Sequence, residues 1–149
     1  MKKFIYPMQS ILNIKMKLED QEKTNYGIAK MRLNEEEQKL TDLTRRMHEY
    51  AEKKRQSMMA TLKLFEIRQY EEAIKTLEIM VKNQMKAVQV AKQTADISLT
   101  RLNRAVAERK TQELLREKAF EAYKAEMLAE EQKEIDELVS FKYSLGVKE

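Results

Sequence analysis

The sequence lacks cysteine and tryptophan, and its 149 residues include only two glycines and one proline. Without cysteine the chain forms no disulfide and offers no thiol for chemistry. The scarcity of glycine and proline excludes a sheet protein with many tight turns. No apolar run approaches the roughly 20 residues that span a bilayer, and Asn13, Lys15 and Lys17 interrupt any signal-like stretch. We therefore expect a soluble, cytoplasmic, all-α protein.

Motifs of catalysis and cofactor binding are also missing. The only histidine, His48, lies in a polar stretch and is expected to be a surface side chain. The sequence has neither a glycine-rich phosphate-binding motif nor the Glu-x-x-His pair of a di-iron bundle. We accordingly predict no enzyme, no catalytic residue, no metal site, no cofactor and no small-molecule ligand.

The strongest pattern in the chain is an apolar seam in its second half. Between Ile67 and Ala105 apolar residues recur at alternating steps of three and four, with Glu, Lys, Gln, Arg and Thr between them. This period is typical of a helix that supercoils against another helix. The seam positions are Ile67, Tyr70, Ile74, Leu77, Val81, Gln84, Val88, Ala91, Ala95, Ser98, Leu102 and Ala105.

A weaker seam precedes it and predicts a first helix, which Pro7 is expected to open. Its spacing breaks once near Tyr26 and Gly27, and we interpret Gly27 as a local stutter or a close contact between helices, since glycine inside a helix costs about 1 kcal/mol. The positions of this seam are Met8, Ile11, Lys15, Leu18, Glu22, Tyr26, Ala29, Leu33, Glu36, Leu40, Leu43, Met47 and Tyr50.

The two seams on one chain predict an antiparallel coiled-coil hairpin in a single domain, residues 1–149. Helix one is expected over about 8–56, the turn over about 57–61 and helix two over about 62–142, with Ser57 or Thr61 capping helix two. Pairing the helices backward from this turn sets Met8 near residue 110. Everything after Thr111 is then expected to overhang.

The predicted overhang has an apolar face of its own. An apolar helix face without a partner is by default a binding surface. The alternative is that residues 1–20 fold back onto part of it. Charge is segregated beside this face, since residues 121–137 contain seven acids whereas residues 101–118 are mainly basic. The apolar positions are Phe120, Tyr123, Met127, Ile135, Leu138 and Phe141.

Several short motifs, in order along nearly the whole chain, resemble the FliJ family of flagellar type III export proteins. The sharpest is Glu131-Gln132-Lys133-Glu134-Ile135-Asp136-Glu137, which is similar to the family's E-Q-K-x-x-D-E motif. The N-terminal run Phe4-Ile5-Tyr6-Pro7-Met8-Gln9 resembles the family's aromatic opening. Thr76-Leu77-Glu78 and Arg109-Lys110, followed by Glu113 and Leu115, also fit. One departure is the turn, which lacks the glycine of some relatives.

The resemblance implies a coiled coil similar to the central stalk of rotary ATPases, located in the cytoplasm and peripheral to the inner membrane at the flagellar base. The implied partners are the hexameric flagellar export ATPase, the export gate membrane protein and the export chaperones. The implied ATPase-binding residues are Phe4, Tyr6, Met8, Ile11, Phe120, Tyr123, Met127, Gln132, Lys133, Ile135, Asp136 and Glu137. The implied gate-binding residues are Leu43, Met47, Tyr50, Tyr70, Leu77, Met80 and Gln84.

Two other interpretations of the sequence stay open. The first is a coiled coil that binds nucleic acid or a membrane surface through Arg101 to Lys118 and the basic N-terminus, although acids interleave with these basic residues. The second is a homo-oligomeric structural coiled coil, although the apolar spacing changes after Thr111. The family interpretation predicts no nucleic-acid partner.

Overall fold

The computed structural model describes residues 3–60 and 63–147, and within these ranges it contains two α-helices and no strand. Helix α1 is Gln9–Ala60 and helix α2 is Leu64–Val147. With 84 residues, α2 is longer than the 52-residue α1. The prediction of an all-α hairpin with a longer second helix is confirmed.

A turn, rather than proline itself, begins α1. The Gln9 amide donates to the Tyr6 carbonyl at 3.2 Å, which places Pro7 at the second position of the turn, where its fixed φ is favoured. The Met8 carbonyl then accepts from the amides of Ile11 and Leu12 at 3.0 and 3.1 Å. Pro7 therefore precedes the helix and does not open it.

The end of α1 differs from the prediction. Residues 57–60, expected in the turn, are helical, so Ser57 lies inside α1 and cannot cap α2. The stretch contains no glycine or proline, and nothing in its sequence ends a helix. The other expected cap, Thr61, lies outside the described residues. Helix α2 begins at Leu64, and the Lys63 carbonyl accepts from the Ile67 amide at 3.1 Å.

The chain packs as two units, which we describe separately. Residues 20–103 form the inner unit, and the described residues before and after this range form the terminal unit. In the inner unit, side chains late in α1 meet side chains early in α2, so the helices run antiparallel. Tyr50 and Tyr70 have ring centroids 6.2 Å apart, and Lys54 Nζ lies 3.2 Å from Glu71 Oε1.

The predicted seam of α2 is confirmed, because all twelve of its positions from Ile67 to Ala105 are buried or half-buried. Ile67, Leu77 and Ala91 are among the most buried side chains of the described residues. Burying these apolar surfaces against the other helix is the main stabilising contribution available to a two-helix hairpin.

The predicted seam of α1 is wrong in its first turns. Met8, Ile11 and Leu18 are exposed. The covered positions instead alternate by three and four without a break: Leu12, Lys15, Glu19, Glu22, Tyr26, Ala29, Leu33, Glu36, Leu40, Leu43, Met47, Tyr50, Lys54 and Ser57.

This regular seam also corrects the interpretation of Gly27. The helix has no stutter there, and Gly27 is exposed. A Cβ added to Gly27 would meet nothing within 4 Å, so no close helix contact requires a glycine.

The terminal unit is antiparallel as well, and it corrects the predicted register. Arg116 Nε donates to Gln9 Oε1 at 2.9 Å, and Lys15 Nζ lies 3.0 Å from Glu108 Oε2. The start of α1 therefore lies near Arg116, and the expectation of Met8 near residue 110 is wrong. The register was wrong because the turn was predicted too early. Since α1 continues to Ala60, each α1 residue lies opposite an α2 residue with a higher number than predicted.

Neither helix, over the residues that the structure describes, contains a segment both long and apolar enough to cross a membrane.

Candidate partner-binding surfaces

The N-terminal segment of the terminal unit packs its aromatic ring onto α2. The ring centroid of Phe4 lies 5.0 Å from that of Phe120, with an edge-on orientation, and 5.3 Å from that of Tyr123. The guanidinium of Arg116 lies 5.8 Å from the Phe4 ring centroid. Edge-on ring pairs and cations over a ring are both favourable geometries. We call Phe4, Phe120 and Tyr123 the aromatic cluster.

The aromatic cluster corrects the predicted extent of the overhang. Residues after Thr111 were expected to lack a partner, yet α2 is covered as far as Tyr123. The alternative, in which the N-terminal residues fold back onto this face, is the arrangement in the structure. It arises because residues 3–6 are not helical and the turn at Pro7 lets them run along α2.

The predicted N-terminal binding residues differ in accessibility. Tyr6 is buried, and its hydroxyl has no hydrogen-bond partner among the described residues. Phe4 is half-buried in the aromatic cluster, whereas the side chains of Met8 and Ile11 are exposed. Phe4, Met8 and Ile11 therefore offer surface to a partner, and Tyr6 fixes the segment in place.

An arginine that binds two carboxylates in the terminal unit, which we call the charged clamp, was not predicted. The Arg109 guanidinium donates from Nε and Nη2 to both carboxylate oxygens of Glu19. Its Nη1 donates to Glu113 at 2.7 Å. Hydrogen bonding to Glu19 raises the pKa of Arg109 above its ordinary value. Sequence spacing could have revealed this pair, because Arg109 continues the α2 seam four residues after Ala105 and Glu19 continues the α1 seam.

Beyond Met127, which is half-buried, α2 has an apolar face that nothing covers in the described residues. We call this face, with its acidic flanks, the tail face. Each of its large apolar side chains is more than half exposed: Leu128, Ile135, Leu138, Val139, Phe141, Tyr143 and Leu145. A helix with this many large exposed apolar side chains is typical of a protein-binding site.

The family-like motif lies on this same stretch. Gln132, Lys133, Asp136 and Glu137 are exposed, and Gln132 Nε2 donates to Asp136 Oδ1 at 3.1 Å. The motif therefore places polar side chains beside the exposed Ile135. The structure thus brings the predicted C-terminal binding residues together on one accessible helix.

The predicted gate-binding residues lie mostly in the seam of the inner unit. Leu77 is only 4% exposed, and Gln84 Nε2 donates to the Glu36 carbonyl at 2.9 Å and to the Glu36 carboxylate. This donation lowers the pKa of Glu36. Met80, 43% exposed, is the accessible member of the set. The remaining members are half-buried: Leu43, Met47, Tyr50 and Tyr70.

The described residues contain no group of three or more His, Cys, Asp or Glu side chains placed to hold a metal ion.

Comparison with protein families matches the chain over both helices and the N-terminal segment. A family model described as "Flagellar FliJ protein" matches residues 3–148. The resemblance that the sequence motifs indicated is therefore confirmed over nearly the whole chain. No curated protein and no solved structure matches the chain significantly.

Proposed function

This chain belongs to the FliJ family and is a protein of flagellar export; we propose that it acts there as a non-enzymatic coiled coil similar to the central stalk of rotary ATPases. In this role it promotes assembly and activity of the hexameric export ATPase, links the ATPase to the export gate membrane protein, and helps to recycle empty export chaperones. It works in the cytoplasm, peripheral to the inner membrane at the flagellar base.

The observation that carries the ATPase part of the proposal is the tail face. Exposure of Ile135, Leu138 and Phe141 to water is unfavourable, and a surface that covers them lowers the free energy. A ring of subunits with an apolar central opening would bury such a helix from all sides. The aromatic cluster and the exposed Met8 and Ile11 also lie in the terminal unit, and we include them in the proposed ATPase-binding surface.

The test replaces two apolar residues of the tail face. The double variant Ile135→Asp/Leu138→Asp is expected to abolish stimulation of the export ATPase, measured as its rate of ATP hydrolysis with saturating coiled coil. Ile79→Asp is the matched control, because Ile79 is also exposed but lies in the inner unit. Deleting residues 125–149 is expected to have the same effect as the double variant. Stimulation at the wild-type level by both variants would overturn the assignment.

The gate contact is proposed to lie in the inner unit around Met80. Met80 is exposed next to the seam, and its flexible thioether suits an adaptable contact. We expect Met80→Glu to weaken binding to the export gate while ATPase stimulation stays intact. Met85→Glu is the control, since Met85 is exposed but lies on the other flank of α2. If Met80→Glu abolished ATPase stimulation and left gate binding normal, the ATPase would bind the inner unit, and the proposed assignment of the two partners would be reversed.

The chaperone part of the proposal is supported by the family resemblance. A protein that recycles empty chaperones must discriminate between free and loaded chaperone. We therefore expect the chain to bind an export chaperone alone and to release it when the chaperone's export substrate is added, as measured by titration calorimetry. Equal affinity for the free and the loaded chaperone would contradict this part of the function.

A further inference from the structure

A shallow groove runs along one side of the inner unit. Small seam residues, among them Ala29, Ala91 and Ser98, leave space between the helices. Three large apolar side chains line the groove, Ile28 from α1 and Val90 and Ile97 from α2, and each is more than half exposed. We call this surface the seam groove, lined by Asn25, Ile28, Arg32, Val90, Thr94, Ile97 and Arg101.

The rim of the seam groove is cationic. Arg32 and Arg101 are exposed at its edges, and Arg32 is close enough to Glu36 to help lower the pKa of that carboxyl. Lys86 extends the basic rim. Between residues 79 and 107 the sequence has five basic residues and a single acid. The acids that reach the groove are half-buried: Glu22, and Glu36, which Gln84 and Lys39 already hold.

The tail face has the complementary chemistry. Residues 125–141 contain six acids and one lysine, and the acids flank the exposed apolar residues Leu128, Ile135 and Leu138. The lengths also agree, because at 1.5 Å per residue the groove from Lys86 to Arg101 spans about 22 Å and the helix over residues 128–141 about 20 Å. An acidic amphipathic helix is the occupant that an apolar groove with a basic rim selects.

We propose that the tail face of one copy docks in the seam groove of a second copy, giving a self-associated form of the protein. Docking removes Ile28, Val90 and Ile97 of one copy and the apolar tail residues of the other from water, while the carboxylates of the tail approach Arg32 and Arg101. The contact itself does not depend on the proposed function. If the tail face also docks on the ATPase, self-association and ATPase binding are mutually exclusive.

Sedimentation equilibrium of the full chain tests the contact. The weight-average mass is expected to rise with concentration above that of one copy, and the dissociation constant to increase with salt because the rim charges are exposed. A mass of one copy at every concentration would overturn the proposal. A dissociation constant that does not change with salt would also contradict it.

Charge reversal identifies the two surfaces. The groove variant Arg32→Glu/Arg101→Glu and the tail variant Glu134→Lys/Glu137→Lys are each expected to weaken self-association at least about tenfold, or about 1.4 kcal/mol. A mixture of the two variants should associate again, since each then meets opposite charge. The control Arg68→Glu/Lys92→Glu makes the same charge change on exposed residues outside the groove and should leave association unchanged.

The mixing experiment decides between a second copy and another occupant. Failure of the mixture to associate, with both variants showing the wild-type helical circular dichroism, would mean that the tail does not fill the groove. The same conclusion would follow if the groove variant associated as strongly as the wild type. Neither result concerns ATPase stimulation, so the proposed function and this contact fail independently.

Discussion

Arg109 of α2 donates to both carboxylate oxygens of Glu19 of α1, at a seam position where a coiled coil usually has an apolar side chain. Glu19 is only 6% exposed, so its charge is withdrawn from water, and Arg109 helps to compensate it. A bidentate arginine–carboxylate pair has a fixed geometry. The pair therefore sets which residue of α2 faces Glu19, in addition to any stability that it contributes.

Glu19→Gln is expected to lower the melting temperature more than Glu113→Gln. Both changes remove a carboxylate that accepts from Arg109, but the Glu19 side chain is 8% exposed and that of Glu113 is 46% exposed. Thermal unfolding followed by circular dichroism measures the difference. The pKa of Arg109 is raised, so its charge is lost only at pH above the ordinary arginine value, and the ranking should hold from mildly acidic to mildly alkaline pH. Equal melting temperatures would show that the clamp has no structural effect.

Leu77→Asp is expected to destabilise the hairpin severely. Leu77 is 4% exposed, and truncating such a leucine to alanine costs about 2–5 kcal/mol. An aspartate adds the cost of an unpaired buried charge. Ile79→Asp is the control, because Ile79 is 64% exposed two residues away. Urea unfolding at neutral pH gives the free energies, and similar values for the two variants would mean that Leu77 does not face α1.

The sequence predicted α2 better than α1, for a physical reason. In α2 the covered positions from Ile67 to Ala105 are nearly all apolar, so the period could be counted directly. Near the start of α1 the buried seam position is Glu19, a carboxylate, whereas the apolar Leu18 beside it is exposed. Choosing Leu18 moved the seam by one residue and created the apparent break near Tyr26.

The partner-binding surfaces could be predicted only in part, because the accessibility of each side chain depends on the register between α1 and α2. The acidic motif with Ile135 was found from the sequence, since beyond the paired region exposure follows from helix geometry alone. The aromatic cluster was not, because its formation requires the non-helical course of residues 3–6. The roles of these surfaces toward partners are proposals, since a partner's shape is not encoded in this chain.

Gln84→Leu is expected to have a pH-dependent effect on stability. Gln84 donates to the Glu36 carboxylate and lowers the pKa of Glu36 below its usual value of 4.5. The ionised carboxylate therefore stabilises the fold at pH above the unfolded-state pKa, and this contribution is lost as pH falls through the folded-state pKa. The loss of unfolding free energy caused by Gln84→Leu should consequently be larger near neutral pH than at about pH 3.

The control for this experiment is the same substitution in a Glu36→Gln background, where no carboxylate titrates. There the effect of Gln84→Leu should be the same at both pH values. If Gln84→Leu lowered the unfolding free energy of the wild type equally at both pH values, the hydrogen bond from Gln84 to the Glu36 carboxylate would be contradicted. Urea unfolding curves of the four proteins supply the free energies.

Gly27→Ala is expected to stabilise the protein. Gly27 lies in the interior of α1, has no positive φ, and a Cβ there would meet nothing within 4 Å. Replacing such a glycine by alanine contributes up to about 1 kcal/mol, because alanine has less backbone freedom to lose on folding. For a chain of this size the melting temperature should rise by about 2–4 °C. Gly146→Ala is the matched control, since Gly146 is equally open but lies in the last turn of α2, where helices fray. A lower melting temperature for Gly27→Ala would show that a close contact or a bend of α1 requires the glycine. That result would favour the close-contact interpretation of Gly27, which the regular α1 seam argues against.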